Sequence, residues 1–221
     1  MTIQEAIRQR HAVRSYTDQP LSREAITQLE TVITECNREG GLHIQLVQNE
    51  PMAFGSKGMH YGKFTGVNNY FALIGKKSAD LEEKCGYYGE KLVLAAQQMG
   101  LNTCWVAMNY KKIPDAFQIN AGEKLVIVIA LGYGATQGVQ HKLRSVEELC
   151  SLKGTEPEWF LRGMEAVRLA PSALNQQKYR FSLDDGKVTV KSGLGFNTKV
   201  DMGIAKYHFE VEAGKEHLEW R

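Results

Sequence analysis

The feature that most constrains the fold is the apolar run from Leu125 to Leu131, the longest in the 221-residue chain. The run is apolar at odd and even positions alike, so both faces of the strand that it predicts must be covered by other elements. A membrane-spanning helix needs roughly 20 apolar residues, so this run is too short to cross a membrane. We therefore expect a mixed α/β protein, with one sizeable core or two small ones that share an interface.

Short apolar runs and alternating polarity predict further strands. These cover residues 42–48, 70–74 and 103–107, and a hairpin over 179–183 and 188–190 that turns at Asp185-Gly186. Helices are predicted by apolar residues at helical spacing and by capping residues. They run from Thr2 to near His11, from Ser22 to the stop at Asn37–Gly41, from Ser78 to Gly100, from Ser145 through Glu148, from Thr155 past Val167, and from about Val200 to Gly214.

Composition and residue spacing exclude several classes of protein. The formal net charge is only +2, so no strongly basic surface for nucleic acid is predicted. The four cysteines include no Cys-x-x-Cys pair and the six histidines lack metal-ligand spacing, so we predict neither a disulfide framework nor a metal site. The polar start Met1–Glu5 is typical of a helix rather than a signal peptide. We therefore expect a cytoplasmic protein with reduced thiols and no membrane partner.

Two helices end in a similar way and hint at an internal repeat. Ten residues separate the glycines of Gly89–Gly100, and ten separate those of Gly203–Gly214. A helix and a strand also flank both Asn37 and Asn175. Two copies of one plan would explain this pattern. Helices that end in glycine are common, however, so chance resemblance stays open as the alternative.

Basic residues crowd the end of the first predicted helix, where His11 lies among Arg8, Arg10 and Arg14. Arg10 and Arg14 are four residues apart and share a face if the helix continues. Like charges at this spacing repel, and forked guanidinium groups suit a phosphate. The plainer alternative is a solvated basic surface at a helix C terminus, where the helix dipole favours cations. The residues alone favour this alternative.

The stretch from Ala170 to Gln177 is the most unusual in the chain. It follows a predicted helix and places Ser172, Asn175 and Gln176 just before an apolar strand. Hydroxyl and amide groups offer both donors and acceptors, as the edge of a heterocycle requires. A capped turn built from turn-forming residues is the alternative, although three amides in a row are more than a turn needs.

The stretch Gly132–Gly138 after the most buried strand superficially resembles the phosphate loop of a dinucleotide-binding fold. Its third glycine is misplaced and no convincing helix follows, so we do not predict that fold. The chain also has no G-x-S-x-G elbow and no Walker loop. Lys142 and Arg144 then form a second small basic pair.

Several of these segments together resemble the nitroreductase-like FMN proteins. Arg10–Tyr16 resembles the N-terminal signature of that family, and Ala170–Phe181 resembles its Pro-Ser-x-x-Asn-x-Gln-Pro-Trp-x-Phe element. Leu92–Ala107 is similar to its central helix and following strand. Ala130–Tyr133 and Lys142–Ser145 resemble its closing strand and basic tail. Each motif is modest by itself, but their joint presence over most of the chain is fairly specific.

The order of the motifs departs from the family pattern. The Pro-Ser-Asn-Gln element normally follows the first signature, where this chain has only the degenerate Glu35–Gly40. The better copy lies beyond the usual C terminus, which resembles a subgroup with a duplicated second half. We therefore predict a first half over residues 1–150 and a second half over 151–221 that completes one flavin site within an integrated fold, as a pseudo-dimer. Ala12 also replaces a frequent Ser, and Lys178-Tyr179 replaces Pro-Trp.

The resemblance implies an α+β fold: a nitroreductase-like sandwich with a mainly antiparallel sheet, helices packed around it and an internal duplication. It implies FMN as the cofactor and no catalytic side chain, because the flavin carries the chemistry. The implied FMN-binding residues are Arg10, His11 and Arg14 at the phosphate and ribityl chain, Lys142 and Arg144 at the phosphate, Pro171, Ser172, Ala173, Asn175 and Gln176 at the ring or ribityl chain, and Val106, Ala107 and Met108 through their backbone amides at N5 and O4.

The function implied by the resemblance is an FMN-dependent oxidoreductase. NADH or NADPH would donate electrons, and a small quinone or nitroaromatic compound would accept them. Tyr61, Phe64 and Tyr110 either contact such flat acceptors or anchor loops on the core. The main alternative is a flavin-binding carrier or sensor without turnover, and a third is an interaction domain whose basic helix binds an acidic partner. Monomer and homodimer both stay open.

Overall fold

The computed structural model describes residues 1–54, 63–152 and 154–221. The chain divides into two units. The sheet unit consists of Gln9–Leu81 and Lys91–Gln140, and the hairpin unit consists of Met1–Arg8, Glu82–Glu90 and His141–Arg221. The duplication and the division into residues 1–150 and 151–221 stay predictions. Within the described residues, no helix is both long and apolar enough to cross a membrane.

The sheet unit is built on the strand that contains the long apolar run. Its strands are β1 (Gln45–Val47), β2 (Asn69–Lys76), β3 (Asn102–Val106) and β4 (Glu123–Gly132), in the order β1-β2-β4-β3. All neighbouring pairs are antiparallel, and β4 pairs with β2 on one side and β3 on the other. The central position of β4 explains why Leu125–Leu131 is apolar on both faces.

Two long helices follow the predicted spacing closely. α2 spans Arg23–Gly40, where the Ser22 hydroxyl accepts a hydrogen bond from the Ala25 amide at 3.1 Å. α3 spans Leu81–Gln98 and stops just before Gly100, which has the left-handed φ of 78° expected after a helix. The predicted start of α3 at Ser78 is wrong by a few residues. The hydroxyl of Ser78 instead hydrogen-bonds the Asp80 carboxylate.

The hairpin unit contains the remaining elements. They are α1 (Ile3–Gln9), α4 (Val146–Leu149), α5 (Glu158–Leu169), β5 (Tyr179–Asp184), β6 (Lys187–Ser192) and α6 (Thr198–Ala213). β5 and β6 form the predicted hairpin, and Asp185 and Gly186 at its turn have φ values of 50° and 77°. The rings of Phe160 and Phe181 each lie 5.3 Å from that of Phe209, which anchors α6 in the core of this unit.

A buried hydrogen bond joins two helical segments of the hairpin unit. Glu90 and His208 are both fully buried, and His208 Nε2 lies 2.9 Å from Glu90 Oε1. The other ring nitrogen of His208 lies 3.1 Å from the Ala166 carbonyl in α5. This contact fixes α6 against the last turn of α5, immediately before the stretch that resembles the flavin-binding element.

Candidate functional site

The basic segment, residues 10–14, lies in the sheet unit and is extended rather than helical. α1 ends at Gln9, near the predicted end at His11, so the helix does not continue and Arg10 and Arg14 do not share a helix face. Ala12 instead pairs in parallel with Thr103, and the Val13 amide donates to the Thr103 carbonyl at 3.0 Å. Backbone pairing with β3 therefore replaces the helical hydrogen bonds and fixes the path of this segment.

The arginines of the basic segment make its surroundings electropositive. Arg10 is only 4% exposed, whereas Arg14 is exposed. Burial and the positive charge of Arg10 lower the pKa of His11. Burial raises the pKa of the Cys104 thiol, and the charges of Arg14 and Arg10 oppose that rise. Both guanidinium groups thus act on one region of the unit, where they favour an anionic group.

A glycine-containing loop, residues 134–138, packs against the basic segment. Gly138 has a φ of 69°, and a Cβ at this position would lie 2.9 Å from both the Ala12 carbonyl oxygen and the His11 Cβ. The buried Asn102 secures the loop, because its Oδ1 accepts from the Gly134 amide at 2.9 Å and its Nδ2 donates to Gln137 at 3.0 Å. Sequence reasoning considered the glycines here but missed Asn102, because only folding brings it to the loop.

The other predicted residues of the sheet unit lie at and beyond the end of β3. Val106 is the last residue of β3, and Met108 is 66% exposed. The ring of Phe64 lies 5.3 Å from that of Phe54, and Tyr110 lies 6.4 Å from it. Both residues pack against the hydrophobic core of this unit, which favours the loop-anchoring interpretation. Tyr61 lies outside the described residues.

The amide loop, residues Pro171–Gln177, lies in the hairpin unit directly after α5. Its residues Leu174, Asn175 and Gln177 have left-handed φ values of 53°, 52° and 44°. Residues with a side chain rarely adopt this conformation, and it persists only where surrounding contacts determine it. The contacts that hold the loop are therefore as informative as its sequence.

Hydrogen bonds fasten the amide loop to the predicted basic pair. The Lys142 carbonyl accepts from Asn175 Nδ2 and from Gln177 Nε2, both at 2.9 Å. The Arg144 amide donates to Gln177 Oε1 at 3.2 Å. The structure thus brings Lys142, Arg144 and Asn175 together, although the hydrogen-bonded residues are 33 positions apart along the chain.

Gln177 is the central residue of this network, and the sequence analysis did not include it among the site residues. Its side chain is 2% exposed, its Nε2 also donates to Asn175 Oδ1 at 2.8 Å, and its backbone amide donates to the Ser172 hydroxyl at 3.0 Å. The spacing Asn-x-Gln in the family element points to position 177 rather than to Gln176. That spacing was the available signal.

Asp201 holds the other side of the amide loop. Its Oδ1 accepts from the Ala173 amide at 2.9 Å, and its Oδ2 accepts from Gln176 Nε2 at 2.8 Å. Gln176 Nε2 also donates to the Phe196 carbonyl at 2.6 Å. Burial raises the pKa of Asp201 to about 6, although the bonds from Ala173 and Gln176 oppose the rise. The Asn175 and Gln176 amides therefore shape the loop, and their contacts with a flavin stay predictions.

Comparison with known proteins gives a match over nearly the whole chain. Residues 2–213 match the model of the family described as "Putative TM nitroreductase". The chain is also similar to a nitroreductase structure from Thermotoga maritima, at 24% identity and a TM-score of 0.67, with 96% of this chain and 83% of that chain covered. None of the curated proteins matches this chain.

Two further solved structures share the fold over about seventy per cent of the chain. A nitroreductase from Desulfovibrio desulfuricans in complex with FMN is 18% identical, with a TM-score of 0.55 and coverage of 71% of this chain and 99% of that chain. An NADH dehydrogenase/NAD(P)H nitroreductase from Parabacteroides distasonis is 22% identical, with a TM-score of 0.52 and coverage of 69% and 98%. The expected mixture of helices with an antiparallel sheet is confirmed.

Proposed function

Because the chain belongs to the nitroreductase family matched over residues 2–213, we propose that it is an FMN-dependent oxidoreductase that uses NADH or NADPH to reduce small acceptors. The observation that carries this proposal is the conjunction of family membership with the basic segment. A neutral or acidic segment at residues 10–14 would have contradicted an FMN phosphate there. The acceptor class that we propose is a quinone or nitroaromatic compound.

The chemistry of the basic segment fits an FMN phosphate. Two guanidinium groups and an imidazole offer several N–H donors, and guanidinium forks match phosphate oxygens. Burial and the Arg10 charge lower the pKa of His11, so a bound phosphate would restore part of the basicity of that ring. We propose that Arg10, His11 and Arg14 bind the phosphate and ribityl chain of FMN.

The residues of the hairpin unit enter the proposal separately. Lys142 is exposed and Arg144 is partly exposed, and the network around Gln177 fixes their backbone. We propose that both residues add positive charge at the FMN phosphate. The remaining proposed contacts are Pro171, Ser172, Ala173, Asn175 and Gln176 at the ring or ribityl chain, and the backbone amides of Val106, Ala107 and Met108 at the ring.

FMN, when bound, supplies the redox chemistry, because its ring accepts a hydride and passes electrons on. The protein itself binds and orients the flavin, and the proposed reaction needs no acid–base triad. The FMN in the Desulfovibrio desulfuricans structure and the name of the Parabacteroides distasonis protein support the choice of cofactor and electron donor. We propose further that the protein acts in the cytoplasm, as a monomer or homodimer.

The absorbance spectrum of the purified protein tests this proposal. The protein should be yellow, or become yellow when FMN is added and unbound flavin is removed. Anaerobic NADH or NADPH should then bleach the flavin band, and a quinone should restore it. A protein without measurable FMN affinity would refute the proposal. Bound flavin that neither nicotinamide reduces would favour a carrier or sensor.

Steady-state kinetics test whether donor and acceptor use one site in turn. We propose that the oxidised nicotinamide leaves before the acceptor enters, which gives parallel lines in double-reciprocal plots. Intersecting lines would show that both partners bind together and would overturn this order. Size-exclusion chromatography of the same preparation distinguishes the monomer from the homodimer.

A further inference from the structure

We propose that Asp201 is a positioning residue, which holds the amide loop in the shape that FMN binding requires. The proposal rests on the proposed function and deepens it, because Ala173 and Gln176 are among the residues that we expect at the flavin. Asp201 itself belongs to neither predicted motif. It lies in the first turn of α6, which is remote from the loop in sequence.

The geometry is a two-point clamp. One carboxylate oxygen accepts from the backbone amide of Ala173, and the other accepts from the side-chain amide of Gln176. Ala173 is the first residue of the short 3₁₀ turn Ala173–Asn175 and Gln176 directly follows it, so one side chain holds both ends of the turn. Asp201 is 2% exposed, and its own amide donates to the Asn197 carbonyl at 2.9 Å within the start of α6. The Asp201 side chain therefore extends from the backbone of a helix and is held in place by burial.

The clamp is needed because the turn is strained. Leu174 has a left-handed φ value, which a residue with a large apolar side chain avoids unless contacts on either side hold it. Strained, over-determined backbone of this kind clusters at ligand sites. Hydrogen bonds to an ionised acceptor are stronger than neutral ones, so a carboxylate suits the task.

A neutral amide side chain could not make both bonds, because it has one acceptor oxygen and its other end is an NH₂ donor. Burying a carboxylate is unfavourable, and here burial raises the pKa of Asp201 to about 6. The charged carboxylate therefore lowers the stability of the fold at neutral pH, and the two hydrogen bonds that it accepts from the amide loop account for its presence. Such a residue should affect ligand affinity without supporting overall stability.

Substitution of Asp201 by Asn separates these two effects. The carbonyl oxygen of the introduced side chain can still accept from the Ala173 amide, but its NH₂ group would face the NH₂ group of Gln176. Gln176 would have to turn its amide over and give up its bond to the Phe196 carbonyl. Asp185→Asn is the matched control, because it removes one carboxylate at the exposed hairpin turn and Asn tolerates the left-handed backbone there.

The experiment is a titration of FMN into the wild type, Asp201→Asn and Asp185→Asn. Quenching of the flavin fluorescence reports binding, and Tm is measured in parallel. The Kd of Asp201→Asn should rise about tenfold or more, the scale of a lost charge-assisted hydrogen bond, with Tm at neutral pH not lowered. Asp185→Asn should match the wild type in both. A Kd within twofold of the wild type would overturn the proposal, as would a higher Kd accompanied by a large fall in Tm.

Hydrogen exchange in the flavin-free protein gives a second readout. Asp201→Ala removes both acceptors, so a peptide covering residues 171–177 should exchange faster, while peptides from the β5–β6 hairpin should not change. Unchanged exchange in the loop would overturn the clamp. If the wild type binds no FMN, the proposed function fails, and the exchange result alone decides whether Asp201 positions the loop.

Discussion

The stability of Asp201→Asn relative to the wild type should depend on pH in a defined way. In the wild type, burial raises the pKa of this carboxyl from 3.8 to about 6. A raised pKa means that the native state holds its proton more tightly than the unfolded state does. Asn carries no titratable group, so the variant lacks this dependence.

The magnitude follows from the two pKa values. Below pH 3.8 the carboxyl is neutral in both states, and its contribution to stability is fully present. Between pH 3.8 and about 6 the unfolded chain loses the proton and the folded chain keeps it, so the free energy of unfolding falls. The fall amounts to about 3 kcal/mol and is complete above the folded pKa. The altered hydrogen bonds of the variant add a cost that does not vary with pH.

Urea unfolding of both proteins from pH 4 to pH 7.5 measures this pH dependence of stability. Tryptophan fluorescence is a suitable signal, since Trp159 and Trp220 lie in the same unit as Asp201. The unfolding free energy of the variant minus that of the wild type should rise by about 2.5 kcal/mol over this pH range, because the unfolded carboxyl is already more than half ionised at pH 4. The other carboxyls titrate in both proteins, so their contributions cancel in the difference between the two free energies of unfolding. A difference that stays flat or falls with pH would refute the argument, because it would show that burial does not raise this pKa.

Three further substitutions test the rest of the site and its support. Arg14→Ala should weaken FMN binding about tenfold to a hundredfold with little change in Tm, since one charge-assisted hydrogen bond is worth roughly 1.5–3 kcal/mol; unaltered FMN affinity in a titration contradicts this role. Gln177→Met should lower the free energy of unfolding in urea by ~3 kcal/mol through loss of its three side-chain hydrogen bonds, and a loss below ~1 kcal/mol would show that they are dispensable. Glu90→Ala should cost about 3–5 kcal/mol in the same assay, because it takes the partner of Nε2 from the buried His208; a loss no greater than that of the exposed Glu165→Ala would count against the pair.

Local elements of the fold could be predicted because their determinants are neighbours in sequence. The first helix begins directly after Thr2, as predicted, because Thr2 and Glu5 form a capping box with hydrogen bonds of 2.8 and 3.1 Å. The turn at Asp185-Gly186 and the central strand around Leu125–Leu131 also follow directly from residue type and order. Each of these features depends on backbone preference or on burial of one continuous stretch, which the sequence states explicitly.

The candidate site was predictable only in part. The residues alone left an anion site and a solvated basic surface open at Arg10 and Arg14 and favoured the second, and only the family resemblance indicated a phosphate there. Pairing of Ala12 with Thr103 draws the segment into an extended path, and that pairing depends on β3, some ninety residues later. Tertiary contacts of this kind override local helix preference.

The mixture of helix and sheet and the amide-rich stretch before β5 follow from the residues alone, and the family follows from the resemblance of several short motifs. Tertiary packing decides which side-chain amides of that stretch form hydrogen bonds with other parts of the chain. Gln177 bonds to the segment of Lys142 and Arg144, and Gln176 bonds to Asp201. In the sequence, Asp201 is an ordinary acidic residue in the first turn of a helix, where the helix dipole favours a negative charge. Its burial and its bond to Ala173, 28 residues away, arise from packing of α6 against the loop, which no short stretch of residues encodes.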